Sequence, residues 1–363
     1  MLIREKRVFY DRIYLFLLKI WRRYCEAGHY RQCRKFLKCS GLKRRKLNKS
    51  QKNEVTALWG RVNFHTHELV YSVTGNFNPK IVPEIFIRLK MEILLNNQME
   101  KNTLSDKNLF ERIIGRDHMP VTLIRNIDGE LYDSDYEYIT ADQAIEIADR
   151  EGEIFCKPAI DNGSGKGVSV ISSLDLNTIR SLGANWIAQR IIKPCPAFRR
   201  LNSTAVSIMR MITFYIEGEV YLTSVSMRIG IEGAIKDYTE SDTGDGSIII
   251  GVDKSGSLKE HGIYPNGKKV SELENGFKFG GMKIPGFNKA ADIVKDKAKK
   301  LPQARFINWD ITIDEDEEPV IVEYNIKGSG VLYYQYTNGS LFGEYFDLIH
   351  GKIMKSLQKG GNK

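Results

Sequence analysis

Cysteine is scarce in this chain and never closely paired. The five present (Cys25, Cys33, Cys39, Cys156 and Cys195) are odd in number and form no CxxC motif. A disulfide framework is therefore excluded, and a reduced, cytoplasmic setting is expected. Cys25, His29, Cys33 and Cys39 fall within fifteen residues, but their spacing matches no common structural zinc pattern. Long apolar runs are missing as well. Nothing approaches the ~18 to 20 residues needed to cross a bilayer. The run Ile13 to Leu18 ends at Lys19, and Trp21, Arg22 and Arg23 follow without a small-residue cleavage site, so it reads as neither a signal peptide nor a membrane span.

Acidic residues are few at the start. Residues 1 to 52 hold seventeen Lys/Arg against three acids, a local balance of +14 within an overall +9, which leaves the remainder at −5. The body of the protein is mildly acidic, so the net charge is no sign of a chain-wide nucleic-acid surface. Within residues 9 to 24, Ile13, Leu17, Ile20 and Tyr24 recur at helical spacing among basic residues. Such a basic amphipathic helix either packs its stripe on the body or lies peripherally on an anionic membrane surface, such as the inner face of a membrane. Its aromatic residues follow helical spacing instead of forming a base-stacking platform, so no nucleic-acid partner is expected. The stretch KRRKLNK (43 to 49) reads as a linker or a basic patch.

What the chain does have is a change of texture. Helices are expected from Pro83 to Asn96, from a Ser105 cap to Ile114, and after a Thr140/Gln143 capping box to about Arg150. From 153 to 325, short runs rich in Val, Ile, Tyr and Phe alternate with Gly, Asn and Asp and read mainly as strands. A helix from Asn288 to Lys300 interrupts them, and another from Phe342 to Leu357 closes the chain. His65 and His67 read as ordinary structural residues, and no Ser/His/Asp or Cys/His constellation is evident.

Two segments carry chemistry. FCKPAIDNGSGKGVSVI (155 to 171) is strand, glycine-rich loop, strand. Glycines let backbone N–H groups approach phosphate oxygens. It is not a Walker A loop, because Gly167 follows Lys166 where Ser/Thr belongs and a strand follows where a helix belongs. Kinase catalytic-loop and DFG sequences are also absent. Lys157 lies near the end of an apolar strand, where an ammonium calls for an anion such as phosphate. The second segment, FINWDITIDEDEEPVIVEYN (306 to 325), reads as a hairpin. A turn centred between Asp316 and Glu317 puts Asp310 directly opposite Glu323, with Cβ atoms ~4.5 to 5.5 Å apart. Asn325 shares their face, while Ile311, Ile313, Val320 and Val322 take the other. Two facing carboxylates repel unless a cation lies between them, and oxygen ligands suit Mg²⁺. The acids from Asp314 to Glu318 belong to the turn and are expected to be solvated.

The order of these elements resembles the ATP-grasp superfamily over roughly residues 104 to 350. SDKNLFERIIG, FCKPAIDNGSGKGV, SVSMRIG and WD…VEYNIKGSG look most like its sugar-transfer-associated group, linked to cell-surface polysaccharide synthesis. The resemblance implies an α+β ATP-grasp fold holding nucleotide between two subdomains, preceded by a basic helical region. The divisions are 1–70, a linking region 71–119, a lid subdomain 120–192 and a C-terminal subdomain 193–363. It implies ATP and Mg²⁺ as cofactors, with Lys107 and Lys157 on the ATP phosphates. The loop of Asp161, Asn162, Gly163, Ser164, Gly165, Lys166 and Gly167 corresponds to the phosphate lid, and Gln189, Arg190, Ile191 and Ile192 to the adenine strand. Arg228, with Arg210 as second candidate, corresponds to the arginine that steadies the transferring phosphate. Asp310, Glu323 and Asn325 match the Mg²⁺ ligands. One departure stands out: many members carry a nucleotide-binding glutamate in or after the adenine strand, where this chain has Arg190 and Lys193-Pro194. The implied activity is ligation of a carboxylate to an amine through an acyl phosphate. A phosphotransferase on the same ATP site, or a membrane or nucleic-acid binder led by residues 1 to 52, are the rival readings. Gly328 to Gly330 with Tyr333, Tyr334 and Tyr336 form either an acceptor site or an aromatic core patch.

Overall fold

The computed structural model describes residues 2–160, 167–233, 246–264, 267–328 and 330–360, with side chains described from residue 20 to 359. Alternating short strands rich in β-branched residues build two antiparallel sheets. The smaller holds β1 (Thr122–Ile127), β2 (Glu130–Tyr132), β3 (Ile154–Pro158), β4 (Ser169–Ile171) and β5 (Trp186–Arg190), in the order β2-β1-β5-β3-β4. The larger holds β6 (Ile208–Ile216), β7 (Glu219–Ile229), β8 (Ile248–Val252), β9 (Leu258–Ile263), β10 (Lys269–Val270), β11 (Phe306–Ile313) and β12 (Pro319–Asn325), in the order β10-β9-β8-β7-β6-β11-β12.

Both sheets are cored by alternation of side chains along their strands. In the large sheet, Met209, Met211, Trp309, Ile311 and Ile313 point to one side, onto Ala290, Ala291 and Val294 of the helix Phe287–Lys299. Ile212, Phe214 and Phe306 point to the other, against Trp59, Phe86, Phe342 and Phe346. Each such side chain contributes roughly 1.5–3 kcal/mol by leaving water. In the small sheet, Ile124, Ile154, Cys156, Trp186 and Ala188 pack on Ala144 and Ala148. Those alanines sit on the helix Ala141–Glu151, which starts at the expected Thr140/Gln143 capping box.

Several boundaries differ from expectation for local reasons. The 105–114 helix is capped by Asp106, whose side chain accepts from Asn108 N, while the Ser105 hydroxyl donates back to Lys101 O. Its first turn, Lys107–Leu109, is a 3₁₀ helix that continues into Phe110–Ile114. The 83–96 segment is helical from Glu84 to Leu95 but passes through a π-helical stretch, Ile87–Met91. Leu332–Asn338 also forms a helix, which sequence reading did not anticipate.

At the N-terminus one helix spans Leu2–Ser40. Its second half packs on the body through His29, Cys33 and Phe36, the last two beside Leu69, Val73 and Tyr336. The expectation that the Ile20 and Tyr24 stripe covers the body is not met: these residues are 48% and 70% exposed. The side chains of Ile13 and Leu17 lie outside the described residues. The reason is rotational, since side chains seven apart share a helix face and the seam that reaches the body runs through residues 22, 29, 33 and 36. Past the helix, Arg44 pairs with Glu68 and Arg45 N donates to Ser72 Oγ at 2.8 Å, which ties the 43–49 stretch down. His67 is buried with Nε2 3.4 Å from Pro79 O. Among the described residues no group of three His, Cys, Asp or Glu forms a metal cluster, so the Cys25–Cys39 set does not assemble as one.

Candidate active site

The β11–β12 hairpin places its polar residues as its sequence pattern requires. Asp310 lies opposite Glu323, and Asn308 opposite Asn325. Beyond them the register shifts by one residue, so that Ile311 faces Ile321 and Thr312 faces Val320. Val322 is the extra residue of a β-bulge, and Val320 therefore shares the face of Thr312, not that of Ile311 and Ile313 as expected. Bulges leave a residue unpaired in the ladder and are common beside active sites. Here the carbonyl of Val322 accepts from Lys157 Nζ at 3.2 Å, joining β3 of the small sheet to β12 of the large one.

Lys157 is buried, and burial lowers its pKa to about 8, helped by the nearby Lys107 charge and opposed by Glu323 and Asp310. Lys107 reaches Glu323 at 3.8 Å, and its backbone N donates to Ala159 O just beyond β3 at 3.0 Å. Both lysines thus converge on one edge of the hairpin. Lys157→Met is expected to raise the nucleotide-free melting temperature, because a buried ammonium below pH 8 costs on the order of a few kcal/mol. The same variant is expected to show a smaller melting shift than wild type on addition of nucleotide. Differential scanning fluorimetry with and without ATP reads both effects.

Asp310 is 2% exposed and does not wait for a metal to balance it. Its carboxylate accepts from Arg210 through Nε at 2.6 Å and Nη2 at 2.5 Å, and from Arg228 Nη2 at 3.2 Å. The register makes this possible: Arg210 on β6 pairs laterally with Asp310 on one side and Ser226 on the other, and Arg228 lies two residues along β7. Burial pushes the Asp310 pKa up, but the two guanidiniums outweigh it and hold the group at about 2. The argument that facing carboxylates demand a cation therefore holds, but the cations in place are arginines. Asn325 Nδ2 donates to Glu323 Oε1 at 3.2 Å and to Asp310 Oδ2 at 3.4 Å, so the three expected ligands touch. Two carboxylates and an amide whose oxygen end can be turned inward fit a magnesium ion completed by water and phosphate oxygens. Four protein cations facing two carboxylates leave a net positive site, suited to a polyanion.

The other expected residues are placed as follows. Gln189 is buried on β5, hydrogen-bonded between β1 and β3, and its Nε2 donates to Thr122 Oγ1 at 3.2 Å. Arg190 turns to the surface and pairs with Glu151 at 2.5 Å. Ile191 and Ile192 follow the end of β5 and are half-buried. Asp161, Asn162, Gly163, Ser164, Gly165 and Lys166 lie outside the described residues. Gly167 closes that loop at φ +75°, with the place of a Cβ only 3.0 Å from Pro158 Cγ. Gly167→Ala is therefore expected to destabilise by about 1–2 kcal/mol, as a reduced urea midpoint would show. Tyr333 and Tyr336 pack at a tilt against Phe36 of the N-terminal helix, while Tyr334 packs 5.6 Å from the Arg210 guanidinium. The tyrosines are thus mainly core, with Tyr334 beside the charged cluster.

Sequence reading missed two supports. Asn96 bonds Phe306 and Ile326 on both sides of the hairpin's open end, at 2.6–2.9 Å, and Glu92 Oε2 accepts from Gly328 N at 3.2 Å. They fix the chain on leaving Asn325; polar residues within the apolar stretch MEILLNN were the available signal. The second is Glu111, which pairs with the wholly buried Arg125 at 2.7 Å and accepts from Thr122.

Residues 173–345, just under half of the chain, match the family model described as sugar-transfer associated ATP-grasp. That stretch is an ATP-grasp region. It contains Arg210, Arg228 and the β11–β12 hairpin, while Lys107 and Lys157 precede it. No curated protein matches the chain. Among solved structures, the chain is similar to D-alanyl-alanine synthetase A from Vibrio cholerae, at 13% identity and TM-score 0.39, covering 72% of this chain and 67% of that one. It is similar to N5-carboxyaminoimidazole ribonucleotide synthetase in an ADP complex, at 15% identity and TM-score 0.43, covering 71% and 54%. An L-amino acid ligase from Bacillus licheniformis shows 13% identity and TM-score 0.37, covering 69% and 48%. The chain thus spans about half to two thirds of the length of these proteins.

Proposed function

We propose that this protein is an ATP-dependent carboxylate–amine ligase working through an acyl phosphate. The observation that carries this reading is the convergence of Lys107, Lys157, Arg210 and Arg228 on Asp310, Glu323 and Asn325. Phosphoryl transfer of this kind is chiefly positioning and charge neutralisation. A carboxylate oxygen attacks the γ-phosphorus, the bond to the ADP oxygen breaks, and an amine nitrogen then displaces phosphate from the acyl carbon and loses a proton. Lys107 and Lys157 hold the phosphates, and Arg228 balances charge on the transferring group. Asp310 aims Arg210 and Arg228 through its two oxygens. Asp310, Glu323 and Asn325 would hold Mg²⁺, which would supply further neutralisation of charge on the phosphate oxygens. Gln189 and Arg190 are paired within the small sheet and carry the chain to Ile191 and Ile192, whose backbone lies beyond β5 and meets the base. The family description supports a sugar acid or amino acid destined for a surface polysaccharide as the carboxylate, with an amine acceptor.

The test is ADP release from purified protein given candidate acids and amines, singly and together. Release that requires both, with an amide product by mass spectrometry, supports the ligase. Turnover without any carboxylate overturns it, and a phosphorylated product without amine establishes a phosphotransferase instead.

A further inference from the structure

The N-terminal helix has two unlike faces over its described length. Toward the body run Arg22, which donates to Glu26 and to Arg61 O, then His29, Cys33 and Phe36. Opposite them, Ile20, Tyr24, Ala27, Arg31, Arg34 and Lys38 follow one another at three- and four-residue spacing, all exposed. This outward face is apolar at its early end and cationic at its late end. Trp21 flanks it at 47% exposure, beside Ile20 at 48% and Tyr24 at 70%. Upstream the sequence becomes more apolar still, as IYLFLLKIW from Ile13 to Trp21.

We propose that this face docks in the plane of an anionic lipid bilayer surface, with Ile20, Trp21 and Tyr24 entering the headgroup boundary. Arg31, Arg34 and Lys38 then lie over the lipid phosphates. An apolar face with aromatic residues next to a row of cations is the chemistry of an interfacial helix, and the +14 balance of residues 1 to 52 complements an anionic leaflet. No described helix is long and apolar enough to cross a membrane, which fits lying on the surface. Parallel pairing with a second copy through the same face would set Arg31, Arg34 and Lys38 against like charges, and antiparallel pairing would set them against Ile20 and Tyr24.

Trp21 also makes the test direct, since Trp59, Trp186 and Trp309 are each at most 2% exposed. Full-length protein is mixed with vesicles of zwitterionic lipid alone, or of the same lipid with an anionic phospholipid, and followed by flotation and tryptophan emission. The expected result is flotation and a blue shift with anionic vesicles only, both reversed by high salt. Trp21→Ala with Tyr24→Ala should weaken partitioning at least about tenfold and remove the shift, with unchanged melting because both residues are exposed. Arg31→Glu with Lys38→Glu should abolish the preference for anionic lipid. Absence of flotation, or equal flotation with both vesicle types, overturns the proposal. So does a dimeric mass in lipid-free buffer with Trp21 already shielded, which would make a second copy the occupant.

Discussion

Glu323→Gln is expected to lower ATP turnover about a thousandfold while leaving the fold intact. The side chain of Glu323 is 29% exposed and its ion pair with Lys107 is long at 3.8 Å, so the fold should tolerate the change. What is lost is one of two negative charges facing four cations, together with a carboxylate suited to Mg²⁺. A glutamine in its place is nearly isosteric, yet it neither neutralises Lys107 at 3.8 Å nor binds a divalent ion with comparable strength. The matched control is Glu317→Gln, in the turn of the same hairpin. Glu317 N bonds Asp314 O at φ +61°, a backbone role that the exchange preserves, so turnover should not move. Steady-state ADP release with both variants, at several Mg²⁺ concentrations, separates the site from the bystander. Equal loss in the two would refute the assignment of the hairpin face that carries Asp310, Glu323 and Asn325.

The contrast between these residues shows which parts of the molecule were legible beforehand. Alternation of side chains along a strand is local, so the pairing of Asp310 with Glu323 followed from sequence alone. The bulge at Val322 did not, because a one-residue register change depends on what neighbouring strands and Lys157 accept, not on the hairpin's own pattern. In the same way, the arginines were recognisable as candidates, but their bonds to Asp310 depend on the order β7-β6-β11, which no local signal states. Sequence therefore showed that the carboxylates need positive charge, but not that guanidinium groups of β6 and β7 supply it to Asp310. Glu92, Asn96 and Glu111 were silent for a related reason: each acts on chain more than ten residues away, at β11, just past β12, or at β1. The exposed Ile20 and Tyr24 taught the reverse lesson. Periodicity identified a stripe, but only the fold shows which side of the helix meets the body.

Arg210→Met should be the most destabilising single change in the site, by about 3 kcal/mol, and should also stop turnover. Asp310 would keep Arg228 at 3.2 Å but lose both stronger bonds from Arg210, leaving a buried carboxylate half-compensated. Its acidity gives the effect a pH signature. In wild type the folded-state pKa is depressed to about 2, below the ordinary 3.8, so the pair's contribution is fully present above about pH 4 and fades as pH falls toward 2. In Arg210→Met that depression shrinks or reverses, since burial alone raises a carboxyl pKa. The variant's deficit should therefore be largest near neutrality and close as the medium becomes acidic. Replacing both partners, Arg210→Met with Asp310→Leu, should recover most of the stability, because apolar side chains of similar volume often substitute for a buried ion pair without loss. Activity should not return. Urea midpoints measured between pH 3 and 7 for wild type, single and double variants decide the matter: an equal deficit in the single and double variants would mean that Arg210 stabilises by packing beside Tyr334, and not by balancing Asp310.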